Sequence, residues 1–263
     1  MSGSLAIIGL GPGEARYLTP SALAALEAAS DLIGYGPYLD RVPARADQTK
    51  HASDNRVEVE RARHALMLAA QGKAVAVVSG GDPGVFAMAA AVFEALEAGE
   101  ADWRRLSITV EPGITAMLAA AAKAGAPLGG DFCAISLSDN LKPWEVVTAR
   151  LSAALAADFV ICLYNPISNA RPWQLGKALE LAATIRAAET PVTFARPVGR
   201  PDESLRILTL AEAIAAAQTA DMATLVMIGA SATRLIAREG QNPIVYTPRS
   251  VTKSPCATSQ GRT

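Results

Sequence analysis

Short, nearly continuous apolar runs punctuate the chain, and stretches of helical length separate them. LAIIG at 5–9 precedes a predicted helix near 20–29, and LIGY at 32–35 follows it. A second helix is expected over about 57–71, opened by polar Ser53 and Asp54 and closed by Gly72. AVAVVSG at 74–80 is apolar at almost every position, the pattern of a parallel strand covered on both faces. It leads into a helix near 84–98, and LSITV at 106–110 leads into one near 114–124. This regular alternation of strand and helix predicts an α/β sheet.

KAGAPLGGD at 123–131 breaks the pattern with three glycines and a proline, and it reads as a linker. Beyond it the rhythm is coarser. CAISLS at 133–138 precedes a helix near 143–157 with Pro143 in its first turn, and DFVICLY at 158–164 precedes one near 172–188. PVTFARP, SLRILT and ATLVMIG then follow with shorter helical pieces between them. The expected architecture is α/β, with two α/β domains and a cleft between them. A mostly parallel sheet is expected in an N-terminal domain over 1–122, and a mixed sheet in a C-terminal domain over 132–246. The remainder, 247–263, is polar and without periodicity, and is expected to be a mobile tail.

Composition narrows the function classes. Of 263 residues 51% are apolar, enough for a substantial core, and 24 basic residues balance 25 acidic ones. Without a run of Lys and Arg, nucleic acid is not an expected partner. No apolar segment reaches the ~20 residues a bilayer span needs, so no membrane association is expected. The chain enters its first strand without a basic, cleavable leader, so a cytoplasmic location is expected. Cys133, Cys162 and Cys256 are widely spaced, and with only His51 and His64 beside them no metal site is expected. His64 falls on an amphipathic helix and reads as structural; His51, in a polar segment, stays open.

The candidate chemistry lies in three glycine-bearing loops. Gly9, Gly11 and Gly13 end the first strand, but their spacing is not G-x-G-x-x-G. Thr19 and Pro20 start the next helix too late, and the second strand ends in YGP without a ribose-binding acid. A dinucleotide site is therefore not expected. In VVSGGDPGVF, at 77–86, Gly80 and Gly81 allow close backbone approach at a strand end, where α/β sheets bind ligands. Asp82 and Pro83 also fit N-cap and N1 of the following helix. EPGITA, at 111–116, repeats the arrangement, with Thr115 ahead of a helix. None of these loops brings a cation. A ligand with a sulfonium, an adenosine and an amino-acid end suits them better than a phosphate.

With these motifs placed, the chain resembles the tetrapyrrole (precorrin) methylases. IIGLGPGEARYLT, SGGDPGVF, EPGITA and TLVMIG occur in the family's order, and the likeness runs from about residue 4 to 246. IGYGPYLDRV, SLSDNLKPWEVVTARL and ICLYNPISNARPWQL resemble most the members that methylate carbon 17 of a cobalamin precursor. Asn140 departs from that pattern. The resemblance implies a homodimer whose subunits bind S-adenosylmethionine, release S-adenosylhomocysteine and act on a small tetrapyrrole. It implies cofactor contacts at Pro12, Gly81, Asp82, Val85, Phe86, Thr115 and Ala116, with Tyr164 and Thr224 from the second domain.

The implied reaction methylates carbon 17 and contracts the macrocycle. An electron-rich ring supplies its own nucleophile, so alignment matters most, and ring contraction adds proton movement. Asp82 and Asp139 are the acid–base candidates, although Asp139 also fits a cap for the helix at Pro143. A polycarboxylate substrate calls for arginines. Arg171 and Arg196 are the first choices and Arg41 a weaker one, each also compatible with a plain surface position. Ser138 and Asn165, within the stretches that carry the narrower resemblance, complete the substrate candidates. The alternatives are a methylase for another ring carbon, a ribose methylase, a nucleotide-dependent oxidoreductase and a non-catalytic binding protein.

Overall fold

A computed structural model describes residues 3–43, 45–54, 57–168 and 170–250. The expected tail, from 251 on, and with it Cys256, lies outside the described residues. The chain divides into two compact units. One comprises the chain up to Ala119 together with Pro197–Glu203; the other comprises Ala120–Arg196 and the chain from Ser204 on. A linear division at a linker does not anticipate the return of Pro197–Glu203 to the first unit.

The first unit alternates strand and helix as the apolar pattern requires: β1 (Ser4–Gly9), α1 (Pro20–Ala28), β2 (Asp31–Tyr35), α2 (Gly36–Leu39), β3 (Thr49–Ser53), α3 (Glu58–Ala70), β4 (Ala74–Ser79), α4 (Met88–Ala98), β5 (Ser107–Glu111) and α5 (Ala116–Ala124), the last crossing the unit boundary. Its five strands are all parallel in the order β3-β2-β4-β1-β5. Alternate residues of the central strands point to opposite faces. Leu5, Ile7, Val75 and Val77 pack with α3 and α4, while Ile8, Ala76 and Val78 pack with α1. The connections leaving β1 and β4 depart in opposite directions, and it is at such adjacent strand ends that open α/β sheets generally bind ligands.

In the first unit β3 is the strand that periodicity misses. TKHAS is polar, lies at the sheet edge and is nowhere fully buried, so it carries no core signature.

The second unit holds β6 (Gly125–Ala126), β7 (Phe132–Ser136), α6 (Trp144–Ala156), β8 (Val160–Tyr164), α7 (Gln174–Ala183), β9 (Pro191–Arg196), β10 (Ser204–Thr209), α8 (Leu210–Ala216), β11 (Leu225–Ile228), β12 (Arg234–Ile236) and β13 (Ile244–Tyr246). Its main sheet, β10-β9-β11-β8-β7, is mixed: β7 and β8 run parallel, and β11 is antiparallel to both β8 and β9. Leu151, Leu155, Leu175, Leu179 and Leu210 bury α6, α7 and α8 against Ile161, Leu163, Phe194 and Val226. A small sheet, β12-β13-β6, takes up the first part of the expected linker. Periodicity misses all three of its strands. Thr247, expected to begin a mobile tail, is instead buried, and its Oγ1 donates to the Pro127 carbonyl at 2.6 Å.

Candidate functional site

In the first unit the loops that leave β1, β4 and β5 are tied together through backbone. Leu10 N donates to Ser79 O at 2.9 Å. Gly11 and Gly81 exchange hydrogen bonds of 3.1 and 2.9 Å, and both adopt positive φ, +68° and +66°. That conformation strains any residue with a Cβ, which is why glycine stands at both turns. Gly13 has a different reason: a Cβ there would lie 1.8 Å from Gly199 O, in the Pro197–Glu203 segment. Glu14 N donates to the same carbonyl at 2.8 Å.

Asp82 links two of the loops. Its Oδ1 accepts from Gly84 N at 2.8 Å and its Oδ2 from Gly113 N at 3.0 Å. Asp82 and Pro83 do not open the following helix, contrary to expectation. Residues 80–87 form an extended turn through Phe86 at φ +52°, and α4 starts only at Met88. The carboxylate is spent on loop backbone, so no side-chain cap remains for the helix. Phe86 is half exposed, Pro12, Val85 and Ala116 are half-buried, and buried Thr115 immediately precedes α5. These candidates share the carboxyl edge of one sheet.

Arg41 proves to be a residue of the loop rather than of a substrate surface. Its Nη2 donates to the carbonyls of Leu10, Gly11 and Gly13, each at 2.9 Å. Burial, reinforced by Arg200, pulls its pKa down, and the three carbonyls hold the guanidinium in place.

In the second unit, strand direction assembles what sequence order scatters. β7, β8 and β9 end, and β11 begins, at the same sheet edge, because Leu225 pairs with Ala195 and Val226 with Leu163. Ser136, Tyr164, Arg196 and Thr224 therefore lie along one edge.

Two side-chain clusters form there. In one, Asn165, at φ +52°, donates from Nδ2 to Ser136 Oγ at 2.9 Å, and Ser138 N donates to the same oxygen at 3.3 Å. Arg171 Nη1 bonds the Asp139 carboxylate and reaches Ser138 Oγ at 3.5 Å, while its Nε donates to Ser168 Oγ at 3.3 Å. The Arg171 hydrogen bond holds the Asp139 carboxyl below the usual carboxylate range. Asp139 does not cap α6: Pro143 is the N-cap residue there, and the carboxylate faces Arg171 instead.

The second cluster centres on Asp221, which sequence reasoning missed. Arg196 Nε donates to its Oδ2 at 2.5 Å and Thr224 Oγ1 to its Oδ1 at 2.7 Å. Burial pushes Asp221 up, but these hydrogen bonds outweigh it and leave the carboxyl below its ordinary value. The one signal was its position three residues before Thr224, the spacing of a side-chain-closed turn.

Among the described residues no three His, Cys, Asp or Glu side chains are grouped to hold a metal ion. Burial raises the Cys133 thiol and pushes that of Cys162 up to about 12. His51 sits on β3 and bonds buried Asp31 at 2.8 Å, with His64 edge-on to it at 5.0 Å.

With this geometry in hand, residues 4–214 match the family of tetrapyrrole (corrin/porphyrin) methylases. The chain belongs to that family. The methylase is 57% identical over 249 residues to a protein of Sinorhizobium sp named precorrin-3B C(17)-methyltransferase, covering 95% of this chain and 97% of that one. It is also similar to the crystal structure of the methyltransferase CobJ, with a TM-score of 0.88 and 50% identity over 94% of this chain and all of that one. A uroporphyrin-III C-methyltransferase from Thermus thermophilus, solved in complex with S-adenosylhomocysteine, shares the fold alone. Its TM-score is 0.64 at 21% identity, over 86% of this methylase and 97% of that chain.

Proposed function

We propose that this methylase transfers a methyl group from S-adenosylmethionine to carbon 17 of precorrin-3B in cobalamin biosynthesis, with contraction of the macrocycle to precorrin-4. The observation that carries the reading is the 57% identity, over nearly the full length of both chains, to a relative of that name. When bound, the cofactor supplies a methyl group on a sulfonium.

The residues of the first unit fit such a ligand. The loops over 9–13, 80–87 and 111–115 contain no Lys or Arg, and the nearby Arg41 guanidinium is engaged by backbone carbonyls. A cationic, phosphate-free ligand suits loops that present backbone groups and the acids Asp82 and Glu111. Asp82 fixes the relation of two loops, which is what an in-line displacement demands of its surroundings: alignment.

Neither acid–base candidate is set up to move a proton. Both Asp82 oxygens accept backbone N–H groups, and Asp139 is held ionised beside Arg171. We read both as positioning residues, with the ring as its own nucleophile. Arg171 and Arg196 provide the cations for the carboxylates of the substrate.

Incubation with precorrin-3B and methyl-labelled cofactor, followed by carbon NMR, tests the assignment. Label at carbon 17 is expected, and label at any other ring carbon overturns it. Calorimetry with S-adenosylhomocysteine, NADH and ATP tests the cofactor: only the first should bind. We also expect a cytoplasmic homodimer; sedimentation at monomer mass across micromolar concentrations would remove the dimer. Among the described residues no helix is long and apolar enough to cross a membrane.

A further inference from the structure

Leu141 is 99% exposed, and Trp173 keeps 41% of its surface in solvent. One exposed leucine is ordinary; an exposed tryptophan grouped with it is not. The loops that leave β7 and β8 bring the two together. Those strands run parallel, so both loops start from the carboxyl edge of the sheet, where α/β sheets bind ligands. Two contacts clamp the loops to each other. Asp139 bonds Arg171, and Trp144 meets Trp173 with ring centroids 4.9 Å apart and planes at 81°. Leu141 lies two residues from the first clamp and three from the second, within about 7 and 11 Å of chain.

Folding accounts poorly for either side chain. A leucine wholly in water contributes no burial. Trp173 occupies the N-cap of α7 without a side-chain cap hydrogen bond, where Ser, Thr, Asp or Asn would stabilise the helix. Trp144 opens α6, packs against the core and meets Trp173 edge-on, which fixes the Trp173 ring. Lys142 adjoins Leu141, and Arg171 precedes Trp173 by two residues, so a cation accompanies each exposed apolar side chain along the chain.

We propose that Leu141 and Trp173 form the apolar platform on which the tetrapyrrole ring lies, with Trp144 as the positioning residue of Trp173. This rests on the function proposed above. A broad apolar ring covers the two side chains, and carboxylates at its rim meet Arg171 and Lys142.

Leu141→Ser is the first test, because a side chain wholly in solvent can be changed without disturbing the fold. The melting temperature should stay within about 2 °C. KM for precorrin-3B should rise about five- to tenfold, the worth of covering a leucine in part. kcat should stay within about twofold, and S-adenosylhomocysteine affinity should not change. Trp173→Phe keeps a flat ring and should hold KM within about threefold, whereas Trp173→Ser should raise it about tenfold or more. Trp144→Leu should raise KM in the wild type and add nothing in the Trp173→Ser background, since it acts through that ring.

An unchanged KM in Leu141→Ser overturns the platform. So does a Leu141→Ser protein that sediments as a monomer where the wild type is a dimer, which would assign the patch to a second copy of the chain. Equal effects of Trp144→Leu in both backgrounds overturn its positioning role. If the wild type does not methylate precorrin-3B, the proposed function falls instead. Binding of uroporphyrin III, followed by quenching of tryptophan fluorescence, then decides the inference. Weaker binding by Leu141→Ser supports the platform; equal binding, or none by the wild type, overturns it.

Discussion

Single residues in this methylase are explained by the atoms they satisfy, and Arg41 shows how far that departs from residue type. A lone arginine in a methylase of polycarboxylates invites a substrate role, but its guanidinium closes three carbonyls of the glycine loop. Arg41→Met should cost about 1–3 kcal/mol, the usual penalty for buried acceptors left unmet, read from urea unfolding. Asp82 makes the parallel case for a carboxylate. Asp82→Asn keeps an acceptor for one loop backbone N–H and Asp82→Ala keeps none. S-adenosylhomocysteine affinity should therefore fall in the order wild type, Asn, Ala, with the Ala loss about tenfold or more by calorimetry. Equal affinities for all three proteins would remove Asp82 from the cofactor loops. The cysteine thiols carry the opposite expectation. With Cys162 pushed up to about 12 by burial, it should resist a thiol reagent at pH 8 until the protein unfolds.

At the scale of elements, the apolar strands and the long helices were readable, their endpoints only in part. Thr19 caps α1, accepting from Ala22 N at 3.2 Å, and α1 begins at Pro20 as its start signals require. α4 begins later than its Asp-Pro signal because Asp82 is drawn to Gly113, 31 residues away, which no local rule contains. β3 escaped because an edge strand needs only ladder hydrogen bonds from one neighbour, not an apolar face. α8, in the second unit, offers a control outside these loops. Thr209 and Glu212 form a reciprocal capping box, each side chain bonded to the other's backbone N–H. Thr209→Ala should lower stability by about 1 kcal/mol with kcat and KM untouched, so altered kinetics would mean that α8 bears on the reaction.

For the whole molecule, the titrating groups set how stability depends on pH. Burial lowers the His64 pKa, with His51 adding to the effect and Asp31 opposing it. The neutral form therefore suits the folded state. That contribution is complete above the unfolded value, about 6.5, and is lost as pH falls below it. Asp139 and Asp221 are depressed carboxyls, and so is Asp31, where burial is outweighed by hydrogen bonds from His51, Lys73 and Ser30. Their stabilisation is present above the unfolded value, near 4, and disappears as pH falls through the folded ones. Urea midpoints should decline gently from pH 7 to 5 and steeply below 4, and His64→Phe should flatten only the first part. A midpoint that rises on acidification would contradict these directions.

The α/β class, the parallel and mixed sheets, the three glycine loops and the family all follow from the sequence itself. Apolar periodicity, turn chemistry and motif order are local properties that survive without coordinates. Partnership between distant side chains is not local. That Arg41 holds the glycine loop, that Asp139 faces Arg171 instead of capping a helix, and that Arg196 and Thr224 meet at Asp221 were decided only by the tertiary structure. Strand order and direction bring those groups within bonding distance, and burial leaves each of them a short choice of partners.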